Sequence, residues 1–177
     1  TVIAGPDGDD RVEIVVVTGR GHFENLLVPF DFDGSTDISI LSGPATFGRD
    51  QLGVERPTVM VLGQRQLNLR CHGAAVGDTI RVEAAIPGWF EKNASPRQYG
   101  ETQVARRFVN TSDHVLGRMT MSFVLPDGML VHSVQKVVPE YDAKKSPEPP
   151  FVVQRVGNRD EVMLRRPVVE RAETLEL

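Results

Sequence analysis

The residues best suited to chemistry are two aspartates, Asp31 and Asp33, which follow an apolar stretch of the chain. A carboxylate in such a turn can act as a general base or as a nucleophile, with Asp33 the first candidate and Asp31 the second. If a helix starts soon after them, the free N–H groups of Gly43 and Ala45 can hold an oxyanion. The alternative remains open that these aspartates form the turn and cap the helix, as aspartates commonly do.

A short helix over about residues 42–52 is the element that would position these groups. Ser42 is a suitable N-cap, and Pro44 is tolerated in a first turn because its missing N–H would have no partner there. Phe47 and Leu52 would then face inward. Gly48 in the middle costs roughly 1 kcal/mol compared with alanine. An alternative start at Asp37 or Ser39 would lengthen the helix but place Pro44 inside it, where it would cause a kink, so a short or kinked helix is predicted.

The rest of the chain reads mostly as strands. Residues 11–18 are rich in β-branched side chains and predict a strand before the helix. Alternating apolar residues predict further strands after it, at residues 58–70, 79–86, 99–110, 114–125 and 129–138. Because short turns join these segments, the sequence predicts a mostly antiparallel sheet of five or six strands, in which residues 99–110 pair with residues 114–125.

The composition of the chain argues against several classes of partner and site. The chain has 177 residues and a net charge of −4, which argues against nucleic acid as its main partner. No apolar run approaches the roughly 20 residues of a membrane helix, so we expect a cytoplasmic protein without membrane contact. Cys71 is the single cysteine and the four histidines are scattered, so neither a disulfide nor a metal site is expected.

We predict one domain over residues 1–140 and a C-terminal extension over residues 141–177, after a proline-rich linker.

Three stretches, in order and spacing, resemble one known family. They are an acidic turn at residues 32–34, a Gly-Asp turn leading into a strand at residues 77–82, and the closing strands from residue 106 to residue 128. Over about residues 11–139 the sequence resembles hotdog-fold thioesterases, in particular the hydroxybenzoyl-CoA thioesterase-like group. The resemblance implies an α+β hotdog fold, in which a mostly antiparallel sheet wraps a central helix.

The same resemblance implies a function. We expect hydrolysis of an acyl thioester of coenzyme A or of acyl carrier protein, without a cofactor, by a homodimer or higher homo-oligomer. Arg65, Arg70 and Arg106 would hold phosphate groups of the substrate. Trp89 and Phe90 would line or gate the acyl pocket, although such a loop can equally form a subunit contact.

Three other functions fit the sequence. A hotdog dehydratase or isomerase is one, because a fold does not determine an activity. A non-catalytic, β-rich module that binds a small apolar ligand is the second. The third is an all-β structural or assembly protein, which would need no central helix.

Overall fold

The computed structural model describes residues 1–19, 24–30, 32, 35–61, 63–97, 100–104, 107–110, 116–134, 151–170 and 174–176. It contains two compact units, Arg11–Ile86 and Thr1–Asp10 together with Pro87–Leu177. Both are built mainly of β-strands, and the one α-helix of the described residues is α1, Trp89–Asn93. None of these residues form a helix long and apolar enough to cross a bilayer.

The predicted hotdog fold is wrong, because no central helix forms over residues 42–52. Strand β4 (Thr36–Ser42) and strand β5 (Ala45–Phe47) occupy this part of the chain, with a turn between them. β4 carries two isoleucines, whose β-branched side chains favour a strand over a helix. Gly43 in the turn has φ +110°, a conformation that a helix does not contain.

The unit Arg11–Ile86 contains two antiparallel sheets. The strands of the first are, in spatial order, β2 (Arg11–Val17), β8 (Thr79–Ala85) and β4. The strands of the second are β3 (Asn25–Pro29), β7 (Gln64–Cys71) and, along the far edge of β7, β5 and β6 (Thr58–Val61). The predicted strand over residues 58–70 is thus two strands that pair with each other.

Alternating burial shows where the core of this unit lies. Ile80, Val82 and Ala84 of β8 are almost completely buried, and so are Leu67 and Leu69 of β7. The intervening residues of β8 are more exposed, so this strand buries one face, as expected for a sheet that packs against a core. The alternation predicted for β8 is confirmed. Leu67 and Leu69 of β7 are buried as expected, but Gln66, predicted on the opposite face, is buried as well.

The second unit is built around a separate group of strands. One set runs, in spatial order, through β13 (Phe151–Val156), β14 (Arg159–Val169), β12 (Leu116–Val124) and β1 (Val2–Ile3). Two small pairs accompany it, namely β9 (Ala94–Pro96) with β10 (Thr102–Val104), and β11 (Arg107–Val109) with β15 (Thr174–Glu176). β12 pairs with β14 and β1, and not with residues 99–110 as predicted.

The predicted C-terminal extension contributes to this unit. β13 and β14 both follow residue 141, and β14 pairs with β12 along most of its length. The predicted boundary at residue 140 lies outside the described residues and stays a prediction.

Asp10 connects the start of the chain to α1. Its side chain is buried, with Oδ1 accepting the Gly5 N–H at 3.0 Å and Oδ2 accepting the Phe90 N–H at 2.9 Å. Phe90 lies in the first turn of α1, where N–H groups have no partner within the helix. Gly88 is the N-cap residue and has no side chain to accept that bond, so Asp10 performs the capping from a distant part of the chain.

Candidate functional site

The aspartates predicted to be catalytic are not among the described residues. Asp31 and Asp33 lie outside them, and so does Arg106. Their roles in catalysis and in substrate binding therefore stay predictions.

The other predicted arginines lie on β7. Arg65 is half-buried, and its Nη1 donates to the Phe32 carbonyl oxygen at 3.2 Å, while its own carbonyl oxygen accepts the Phe30 N–H at 3.0 Å. Arg70 is exposed and lies opposite Asn25 on one side and Thr46 on the other. Arg65 thus stabilises the chain that follows β3, whereas Arg70 points to solvent.

Of the two predicted oxyanion donors, Gly43 lies in the turn between β4 and β5, and Ala45 is the first residue of β5. The Ala45 N–H donates to the Gly43 carbonyl oxygen at 2.9 Å. The helix N-terminus that was expected to present both N–H groups to a substrate is replaced by this turn. The Ala45 N–H therefore takes part in a backbone hydrogen bond of the turn.

Trp89 and Phe90 belong to the other unit and lie in its core. Their rings are in edge-to-face contact, with centroids 5.1 Å apart, and Trp89 stacks on Phe123 at 5.9 Å. Only 6% of Trp89 and 5% of Phe90 is exposed to solvent. These aromatic side chains therefore act as packing residues of the unit.

Two further reactive side chains lie near the end of β7. The thiol of Cys71 is buried, and this burial raises its pKa, which disfavours the reactive thiolate. His72 Nε2 lies 2.9 Å from Thr46 Oγ1 on the exposed surface. Within the described part of the chain, no three or more His, Cys, Asp or Glu side chains are placed to hold a metal ion.

A protruding loop at residues 48–57, here called the Asp50 loop, was not predicted from the sequence. β5 and β6 lie along the same edge of β7, because β3 occupies the other edge at residues 66–70. Phe47 pairs with Leu69 and Thr58 pairs with Leu67, so the whole loop is inserted opposite the single residue Asn68. β5 precedes the loop and β6 follows it, and both strands pair with this edge of β7.

Asn68 closes the base of the Asp50 loop. Its backbone carbonyl accepts the Gly48 N–H at 2.9 Å, and its own N–H donates to the Pro57 carbonyl at 2.8 Å. Its side-chain Nδ2 donates to the Arg56 carbonyl at 3.1 Å. Gly48 leaves room for this side chain, since a Cβ at that position would lie 2.2 Å from Asn68 Nδ2.

The carboxylate of Asp50 organises the tip of the loop. Oδ1 accepts the N–H groups of Leu52 and Val54, both at 2.9 Å, and Oδ2 accepts Arg56 Nε at 3.0 Å. The Gly53 N–H donates to the Asp50 carbonyl at 2.9 Å, which completes a tight turn. Aspartate at the first and glycine at the fourth position is a sequence signature of such turns, so this part could have been recognised from the sequence.

The tip of the Asp50 loop exposes apolar side chains. Leu52 is 88% exposed and Val54 is 51% exposed. Arg49 and Glu55 form an exposed ion pair at 3.5 Å between the two arms of the loop. Such pairs contribute little free energy, so the loop is ordered mainly by its base and by Asp50.

The order of this loop is expected to depend on pH. The hydrogen bond from the Val54 N–H, assisted by Arg56 and the Leu52 N–H, lowers the pKa of Asp50 from its ordinary value of 3.8. A lowered pKa in the folded state means that the ionised carboxylate stabilises the loop above the pKa of the unfolded chain. That stabilisation is lost as the pH falls through the lowered value.

We therefore expect the loop to stay closed from neutral pH to about pH 4 and to open below it. NMR spectra recorded over a pH series measure this, because the amide protons of Leu52 and Val54 lose their shared acceptor. Asp50→Asn is the control and should show weaker amide protection that does not change in this pH range. Amide signals that stay unchanged at low pH in the wild type would contradict the role of Asp50.

Comparison with known proteins gives no relative for this chain, because no family model, curated protein sequence or solved structure matches it. Its function has to be inferred from its own residues.

Proposed function

We propose that this chain is a non-catalytic, all-β module of a structural or assembly protein, and that it binds a protein partner through the Asp50 loop. The observation that carries the proposal is the exposed side chain of Leu52, which an ordered loop holds in solvent. A partner that covers this side chain removes apolar surface from water, which favours association.

The loop is ordered at a cost in conformational entropy although it adds nothing to the core, and this supports the proposal. Gly48, Asp50 and Asn68 order a segment whose residues from 51 to 56 are all exposed and add nothing to the core. Because the loop is already ordered, binding loses little further conformational entropy. Burial of a leucine side chain by a partner would then contribute about 2 kcal/mol.

The surroundings of Leu52 also fit a protein surface as the partner. Arg49, Glu55 and Arg56 surround the apolar tip with polar groups of both signs. An apolar centre with a polar rim is the usual arrangement of a protein interface. We therefore expect the partner to offer an apolar cleft of about the size of one leucine side chain.

Thioester hydrolysis has weaker support. The central helix that the resemblance implied does not form, and the predicted aromatic pocket residues Trp89 and Phe90 are packed in a core. The acidic turn with Asp33 stays a prediction.

Substitution of Leu52 tests the proposed binding. Immobilised wild-type protein, Leu52→Asp and Leu52→Met are compared in cell extract by quantitative mass spectrometry, with soluble wild type as competitor. We expect a protein that wild type and Leu52→Met retain, that soluble wild type displaces, and that Leu52→Asp loses at least tenfold, which corresponds to about 1.4 kcal/mol. Equal retention by all three forms would contradict the role of the loop.

A further inference from the structure

The edge strand β13 forms a different surface, and one of its two backbone edges has no partner among the described strands. It pairs with β14 along its whole length without a shift in register, and no other described strand pairs with its second edge. Such an edge offers unpaired N–H and C=O groups to another strand. Proteins commonly protect edges with lysine, proline or a bulge, and none of these occurs within β13.

Four of the six side chains of β13 are apolar, and the five from Val152 to Val156 are exposed. Val152, Val153 and Val156 are 37%, 47% and 50% exposed, whereas Val162 and Leu164 of the neighbouring strand are buried. Val152, Gln154 and Val156 alternate with Val153 and Arg155, so the first three share one face of the strand. The valines of β13 are thus more exposed than Val162 and Leu164 of the neighbouring strand β14.

The order of residues along β13 is symmetric on that face. Val152, Gln154 and Val156 read as valine, glutamine, valine in either direction. In an antiparallel pair centred on Gln154, Val152 of each copy lies opposite Val156 of the other, and Gln154 lies opposite its own equivalent. Pairs of β-branched residues at such positions stabilise a sheet. On the other face Val153 lies opposite Arg155, whose aliphatic stem can cover it.

We propose that two copies of this chain form a dimer by antiparallel pairing of β13 about a two-fold axis at Gln154. The symmetry of the strand favours a second copy over an unrelated strand, because in that register Val152 of each copy pairs with Val156 of the other. The pairing is closed, since each copy uses the edge of β13 that no strand of the described residues occupies. It is independent of the Asp50 loop, which lies in the other compact unit.

Two strands of this length bury less surface than stable dimers usually do. We therefore expect a weak dimer, with a dissociation constant of roughly 1 to 100 μM. Sedimentation velocity of the full chain at increasing concentration measures this association. A chain that is monomeric throughout that concentration range would overturn the proposal.

Gln154→Lys tests whether this residue lies on the axis. Within one copy the substitution is tolerable, because Gln154 Nε2 already donates to Glu161 Oε2 at 2.7 Å and a lysine can do the same. In the dimer it places two ammonium groups opposite each other, so we expect association to weaken at least tenfold. Unchanged association of Gln154→Lys would overturn the proposed register.

Gln154→Cys gives a second and independent test. The native Cys71 is buried, so mild oxidation should link the two new thiols, and the linked dimer is seen on a non-reducing gel. Leu52→Cys is the control, because Leu52 is highly exposed but lies in the other unit. Rapid linkage of Gln154→Cys alone supports the axis, whereas equal rates for both variants would overturn it.

Discussion

Trp89→Ala is expected to lower the free energy of unfolding by about 4 kcal/mol. Trp89 is 6% exposed, stacks on Phe123 and makes an edge-to-face contact with Phe90. Removing the indole leaves a cavity between these rings, and the surroundings can collapse into it only in part. Urea unfolding followed by far-UV circular dichroism measures the loss.

Trp89→Phe is the matched control, since it keeps an aromatic ring in the same place. We expect it to lose roughly 1 to 2 kcal/mol, at most half the loss of the alanine variant. An alanine variant as stable as the wild type would show that the side chain is not part of a core. That result would favour the acyl pocket predicted from the sequence.

Gly43→Ala is the second change with a large expected effect, about 3 kcal/mol of destabilisation. Gly43 has φ +110°, which L residues rarely adopt. A Cβ there would lie 2.6 Å from the Thr79 carbonyl oxygen and 2.7 Å from Ile80 Cα. Both are backbone atoms of β8, so the contact can be relieved only by displacing the strand.

Gly73→Ala separates the cost of the positive φ from the cost of the close contact between the added Cβ and the backbone. Gly73 has φ +62°, but no atom lies within 4 Å of the Cβ that would be added. We expect it to cost only about 1 kcal/mol, through the backbone conformation alone. Urea unfolding of both variants gives the comparison. A Gly43→Ala variant more stable than the wild type would instead fit the predicted helix, in which alanine is favoured over glycine.

Local patterns in the sequence predicted much of the sheet structure. The β-branched segment that became β2 and the alternation of Ile80, Val82 and Ala84 in β8 depend on neighbouring residues alone, and both predictions are confirmed. Which strands pair is set by contacts between distant residues. The sequence therefore did not reveal that β12 pairs with β14, which lies in the predicted C-terminal extension.

The predicted helix failed for a physical reason that the sequence contains only in part. Phe47 and Leu52 were expected to face inward from a helix, but Leu52 is exposed at the tip of a loop. Gly43 was predicted to supply an oxyanion donor at the start of the helix, and Gly48 was predicted to weaken that helix. In the structure each allows a close contact, with β8 and with Asn68 respectively, and neither contact is visible from local sequence.

The Asp50 loop, too, could be predicted from the local sequence only in part. The turn from Asp50 to Gly53 follows a recognisable local signature. The closure of the loop by Asn68 involves a residue on another strand, so it required the structure.

A hydrolysis assay with the full chain tests the proposed non-catalytic role. Wild type and Asp33→Asn are compared on a panel of acyl-CoA chain lengths and on acyl carrier protein thioesters. We expect no turnover above background for either protein. Wild-type turnover that Asp33→Asn removes, with its fold and oligomeric state unchanged, would overturn the non-catalytic proposal and place a catalytic site at the acidic turn.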